Sequence, residues 1–247
     1  MALREEFESL GNWLFRRRSY MPLLLSGFFL IALKQFGYPV HSHAADRVWE
    51  LFCLSISLLG LMVRMYTVGC APHGTSGRNV KGQRANFLNT TGMYSIVRHP
   101  LYFGNFLIWF GIAASMRSWW FITVTVLFFW IYYEKIMFAE EEFLRKQYGD
   151  SFLEWANKTP VFLPLQLHKW KPPALPFKLK NALRREYSGF FAIISTYTLL
   201  ELIEEFIVEH RLIFDPTWVV LFTFALVVYL VLMFLKKKTN FLNVEGR

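Results

Sequence analysis

Charged side chains are scarce in this sequence, at 18% of residues against 54% hydrophobic. Soluble domains carry charge on about a quarter of their residues, so an ordinary water-soluble domain is excluded. Cysteine is almost absent. Cys53 and Cys70 are the two present, and a pair at that spacing makes neither a disulfide framework nor a zinc site; no residue is assigned to a metal. No glycine-rich strand–turn–helix fingerprint occurs, which removes a Rossmann cofactor domain. No internal repeat or low-complexity tract is visible. Met1–Gly11 is acidic and polar, and no small-residue cleavage site follows the first apolar run. That run is therefore kept as a span rather than read as a signal peptide.

Long apolar runs and aromatic residues are abundant, the latter at 19%. Six runs have spanning character: Tyr20–Pro39, Val48–Gly69, Leu101–Met116, Trp119–Phe138, Ser188–Val208 and Trp218–Leu235. A helix needs about 20 residues to cross the hydrocarbon layer. The third run is short, and the fifth contains Glu201, Glu204 and Glu205. Most of the 27 Lys and Arg residues fall before the first run, between the second and third, between the fourth and fifth, or after the sixth. The positive-inside rule then predicts an all-α polytopic bundle of about six transmembrane helices with both termini cytoplasmic. The same distribution accounts for the net charge of +9 as topology signal and lipid-headgroup contact, without nucleic acid. A bacterial inner membrane or the endoplasmic reticulum fits this reading.

Three segments follow. Residues 1–70 hold two spans. Residues 71–164 hold a polar loop, a helical hairpin and a polar tail. Residues 165–247 begin with a proline-containing linker, Lys169-Trp170-Lys171-Pro172-Pro173, expected to be extended and exposed, and end with two further spans. The third and fourth runs are joined only by about Ser115–Ser118, so they must be antiparallel. His99 and Glu140 are thereby expected at one membrane face.

Two polar clusters meet at that face. One is Gly92-Met93-Tyr94-Ser95-Ile96-Val97-Arg98-His99-Pro100-Leu101-Tyr102-Phe103-Gly104. Pro100 suits the first turn of a helix, placing Arg98 and His99 at free backbone N–H groups that favour an anion. Arg98 can grip a carboxylate with two donors. The other cluster is Glu140-Glu141-Glu142, with Tyr148-Gly149 beyond it. Its carboxylates can accept hydrogen bonds from an ammonium. A small molecule carrying both groups fits between the clusters, and the amino-acid end of S-adenosylmethionine is one.

The string from Gly92 to Gly104, the helix after it, Glu140 to Phe152 and Pro160-Val161-Phe162-Leu163-Pro164 together resemble the isoprenylcysteine carboxyl methyltransferase family of integral membrane enzymes. The resemblance covers about 75 residues near the middle of the chain. It implies an S-adenosyl-L-methionine site at the cytoplasmic face, with Tyr94, Val97, Arg98, His99, Pro100, Tyr102, Glu140 and Glu141 around the cofactor and Arg98, His99 and Glu141 as the catalytic set. Glu142 has no matching role and reads as a solvated helix end.

Displacement at a sulfonium asks mainly for positioning and electrostatics. An anionic acceptor needs no base; a thiol or amine would need one, with His99 the first candidate. Tyr94, Tyr102 and Trp155 offer rings to the sulfonium. Arg78 and Arg84 in the loop Ala71–Thr91, with Arg64 inside the second span, are expected to hold the acceptor's anionic head. For Arg64, snorkelling to the interface stays equally open. A membrane lipid with a phosphorylated head of the lipid A type is favoured as acceptor over a prenylated protein end. Lys34 is expected to pair with Glu201, Glu204 and Glu205, which share one helical face. Two other classes stay open: an NADPH-dependent sterol or steroid reductase, which shares the Arg-His-Pro-x-Tyr-x-Gly string, and a scaffold or transporter without chemistry.

Overall fold

The computed structural model describes residues 2–18, 20–34, 43–72, 85–212 and 214–244. Among them there are eight α-helices and no strand: α1 (Leu3–Arg17), α2 (Ser26–Lys34), α3 (His43–Cys70), α4 (Pro100–Ser115), α5 (Trp119–Tyr148), α6 (Asp150–Lys158), α7 (Leu179–Glu209) and α8 (Pro216–Lys238). Three stretches among the described residues are long and apolar enough to cross a membrane: Ala45–Cys70, Trp119–Tyr148 and Pro216–Lys238. Leu23–Lys34 and Pro100–Ser115 are shorter apolar helices. α7 has the length but carries Glu201, Glu204 and Glu205, all buried.

α3 packs most extensively on α4, and small residues permit it. A Cβ on Gly104 would sit 2.7 Å from the Gly60 carbonyl oxygen and 2.6 Å from Arg64 Cγ. Without side chains at Gly60 and Gly104 the two backbones approach closely, the usual means of joining helices where lipid supplies no hydrophobic drive. α7 closes over α3, and α8 packs on α7.

α4 and α5 are joined by Met116–Ser118 and run antiparallel, as the short connection requires. α5 outlasts α4, and its extension receives α1, an element that the charge reading of the N-terminus did not anticipate. Gly11 of α1 lies against the Lys135 carbonyl and Ala139. Leu14 and Phe15 enter a core with Tyr102, Phe129, Tyr132, Tyr133, Ile136 and Phe162. Glu142, expected in solvent, is 6% exposed and pairs with Arg4 of α1. A carboxylate so placed needs the arginine, because burial without a partner is costly. Lys146 and Glu8 form a second ion pair along this seam, at 2.5 Å.

Candidate active site

The chain reaches α4 through a short 3-10 turn, Gly92–Ser95, with Gly92 at φ +60°. Arg98 and His99 follow in a non-helical stretch, and Pro100 opens α4. Two backbone bonds fix this stretch: Arg98 N–H donates to the Pro160 carbonyl at 2.8 Å and His99 N–H to the Val161 carbonyl at 3.2 Å. Phe162, the next residue, anchors that strap by packing on Phe103 and Phe106. The Pro160–Pro164 motif thus holds the backbone of the Arg98–His99 motif.

On the facing arm, Glu140 and Glu141 project from α5. Arg98 Nη1 donates to Glu141 Oε2 at 2.7 Å. His99 Nε2 lies 3.0 Å from the other Glu141 oxygen, and its Nδ1 lies 3.5 Å from Glu140. One carboxylate therefore bridges the arginine and the histidine. His99 stacks on Tyr102, with ring centroids 5.6 Å apart. Burial works against the imidazolium, yet hydrogen bonds and charge from Glu140 and Glu141 outweigh it, so the His99 pKa lies above the ordinary value. Arg98 Nε is buried and has no hydrogen-bond partner among the described residues. A buried guanidinium donor ordinarily has an acceptor, and none of the described residues supplies one here.

Tyr94 and Val97 line the same turn. Trp155 of α6 donates its indole N–H to the Tyr94 carbonyl at 3.0 Å, and Val97 is fully buried. Tyr148 donates to the Ala85 carbonyl at 2.9 Å, tying Ala85 to the end of α5. The linker is exposed around Lys169–Pro172 as expected, but it is tied down: the Lys171 carbonyl accepts from Gly92 N–H at 2.9 Å, and Lys171 N–H donates to Ser95 Oγ at 3.0 Å.

Arg64 is placed differently from both expectations. Its Nε and Nη2 donate to the two oxygens of Glu186 on α7, each at 2.9 Å, and Nη1 donates to Asn105 at 2.6 Å. Asn105 in turn donates to Tyr133 at 2.9 Å, whose ring lies 4.9 Å from Tyr102. The charge of Arg64 is met inside the protein, and Glu186 is the partner that sequence reasoning missed. Its signal was an acid near the start of an apolar run, at the end facing Arg64. Arg78 and Arg84 lie outside the described residues. Lys34 is exposed and makes no ion pair with Glu201, Glu204 or Glu205 among the described residues. Glu201 and Glu204 instead face Asp46 and Glu50 of α3.

Residues 51–151 match the family model described as phospholipid methyltransferase, a span that includes both arms of the site and stops before the Pro160–Pro164 strap. The cobalt-zinc-cadmium resistance protein CzcN of Cupriavidus metallidurans is 30% identical over 200 residues, covering 77% of this chain and 86% of that protein. The protein-S-isoprenylcysteine O-methyltransferase of Schizosaccharomyces pombe is 34% identical over 88 residues, 34% of this chain and 36% of that enzyme. The Saccharomyces cerevisiae enzyme of the same name is 28% identical over 144 residues, 57% and 58% of the two chains. No solved structure gives a significant match. On these matches the chain belongs to the family of membrane methyltransferases that includes the isoprenylcysteine carboxyl methyltransferases.

Proposed function

We propose that this protein transfers the methyl group of S-adenosyl-L-methionine to an oxyanion on a membrane-anchored acceptor, at the end of the bundle formed by Arg98, His99, Glu140 and Glu141. The observation that carries the reading is the buried, unpartnered Nε of Arg98 beside two carboxylates on the facing helix. An amino-acid end has the complementary chemistry: its carboxylate suits Arg98, and its ammonium suits Glu140 and Glu141. When bound, the cofactor supplies a methyl group already activated on a sulfonium. The chain's own part is to orient the donor and exclude water. Arg98 is positioned by Glu141 and by the Pro160 carbonyl, and Tyr94, Val97, Pro100 and Tyr102 wall the pocket.

His99 favours an anionic acceptor. A histidine held towards its charged form by two carboxylates is a poor general base. It is better suited to stabilising negative charge. A carboxylate or phosphate needs no base, whereas a thiol or amine would. The yeast relatives are named for methylation at oxygen on isoprenylcysteine, and the matching family model is named for phospholipid. Both fit an acceptor that enters from the bilayer. Within this class we favour a phosphorylated lipid head of the lipid A type, held by Arg78 and Arg84. The Arg64–Glu186 pair supports the pocket wall instead of contacting the head. Residues 71–164 act as the catalytic unit, α7 and α8 flank a lateral opening, and the site faces the cytoplasm in a six-span topology with both termini inside.

A ligand-binding experiment tests the cofactor. S-adenosylhomocysteine should raise the melting temperature of the purified protein in detergent, NADPH should not, and His99→Ala should abolish the shift. An unchanged melting curve at saturating S-adenosylhomocysteine, or a shift with NADPH in its place, contradicts the reading.

A further inference from the structure

At the far end of the bundle, about 24 Å away along the 16-residue α4, lies a second polar cluster that methyl transfer does not use. Asp46 and Glu50 are one turn apart on α3, and Glu201 and Glu204 are neighbours on one face of α7; all four are buried. One carboxylate oxygen from each lies within 4.8 Å of the other three. Positive charge nearby is limited. Arg117 pairs with Asp46, and Arg47 pairs with Asp215 at 2.5 Å. Trp218 donates its indole N–H to Glu50 at 3.3 Å.

Glu204 is the telling residue. It is 1% exposed, and neither of its oxygens receives a hydrogen bond among the described residues. A carboxylate taken out of water without a donor is strongly destabilising unless a cation or proton replaces the lost solvation. One of its oxygens lies within 4.8 Å of three further carboxylates, and the neighbouring Arg117, which also acts on Glu204, is already paired with Asp46, so carboxylates outnumber the positive charge at this point.

We propose that Asp46, Glu50, Glu201 and Glu204 bind a divalent metal cation. Two oxygens on opposite sides of a calcium ion are separated by twice the bond length, about 4.6–5.2 Å, so four oxygens all within 4.8 Å of one another are close enough to share one calcium ion. Magnesium would require separations of no more than about 4.0–4.2 Å. The donor set is all oxygen, with no cysteine or histidine among its members, which selects hard cations of the calcium and manganese type. The site joins α3 to α7 on the side away from the methyl donor, a place suited to locking the bundle.

The test uses the full chain, purified in detergent and stripped with chelator. Thermal unfolding is followed with Ca2+ or Mn2+ added separately, and Mn2+ binding is read by the loss of its free-ion electron paramagnetic resonance signal. Wild type should gain melting temperature with either ion and should bind Mn2+ saturably. Glu204→Gln should lose both responses while melting, without metal, no lower than wild type, because one of several crowded negative charges has been removed. Glu201→Gln serves as the second variant should Glu204→Gln not fold. Arg98→Ala, at the other end of the bundle, should keep both responses, which separates this site from the methyl-donor reading. Absence of saturable Mn2+ binding and of a melting shift in wild type overturns the proposal. So does an undiminished response in a folded Glu204→Gln or Glu201→Gln protein.

Discussion

Arg98 and Glu141 are 43 residues apart in sequence and 2.7 Å apart in space, one on each arm of a helical hairpin. The contact exists because three residues join α4 to α5 and because Pro160 and Val161 clamp the Arg98–His99 backbone. Glu141 spends its oxygens on Arg98 and His99 together. Removing it therefore releases Arg98 and His99 at once.

Arg98→Ala and Glu141→Gln should leave the helical fold intact and weaken S-adenosylhomocysteine binding. Hydrogen bonds to charged groups contribute about 1.5–3 kcal/mol each, which corresponds to roughly 10- to 150-fold in affinity. Arg98→Lys keeps the charge but loses the planar fork, and should recover only part of the loss. Calorimetric titration of the variants checks this; wild-type affinity in Arg98→Ala would remove Arg98 from the site.

The pKa of His99 is raised in the folded protein by Glu140 and Glu141 against the effect of burial. A group whose folded pKa exceeds its unfolded value contributes stability that is complete below the unfolded value, about 6.5 for histidine. That contribution is lost as pH rises through the higher folded value. The melting temperature should therefore fall as pH is raised from 6.5 upward, and His99→Asn should flatten that part of the curve. Parallel curves for the two proteins would contradict the assignment.

The α1 seam rests on Gly11 against the Lys135 carbonyl and on the Arg4–Glu142 pair. Gly11→Leu has no room at that contact and should lift α1 from α5. Limited proteolysis should then cut before residue 18 faster than in wild type. Glu142→Gln should give a smaller effect in the same direction. An unchanged cleavage rate in Gly11→Leu would mean that α1 docks elsewhere.

Gly104 faces Gly60 and Arg64. Gly104→Leu overpacks the α3–α4 interface, which typically costs about 1–3 kcal/mol. Because Arg64 adjoins Gly104, it should also disturb the Arg64–Glu186 pair. A lower melting temperature together with weaker donor binding is expected. Unchanged values for both would show that α3 and α4 are not held this closely.

Much of this was legible in the sequence because it is local or carried by a short connection. The hairpin, Pro100 at the start of α4 and the two charged clusters follow from spacing alone. The misread parts are long-range. Arg64 finds Glu186 across 122 residues, and Glu142 finds Arg4 across 138; in both cases the partner depends on helix packing that spacing along the chain does not reveal. The glutamates of α7 were matched to Lys34 by depth, but depth does not fix which way a side chain faces. α1 was read for its charge, although Phe7, Gly11, Leu14 and Phe15 already mark one face at helical spacing.

The direct test of the central claim is methyl transfer itself. Purified protein, S-adenosylmethionine labelled in its methyl group and a total membrane lipid extract should yield a labelled lipid whose new bond is an ester to phosphate or carboxylate oxygen. Arg98→Ala should abolish the label. Failure of wild type to label any lipid or lipidated acceptor while binding the donor, or label carried on nitrogen or sulfur, would contradict the account.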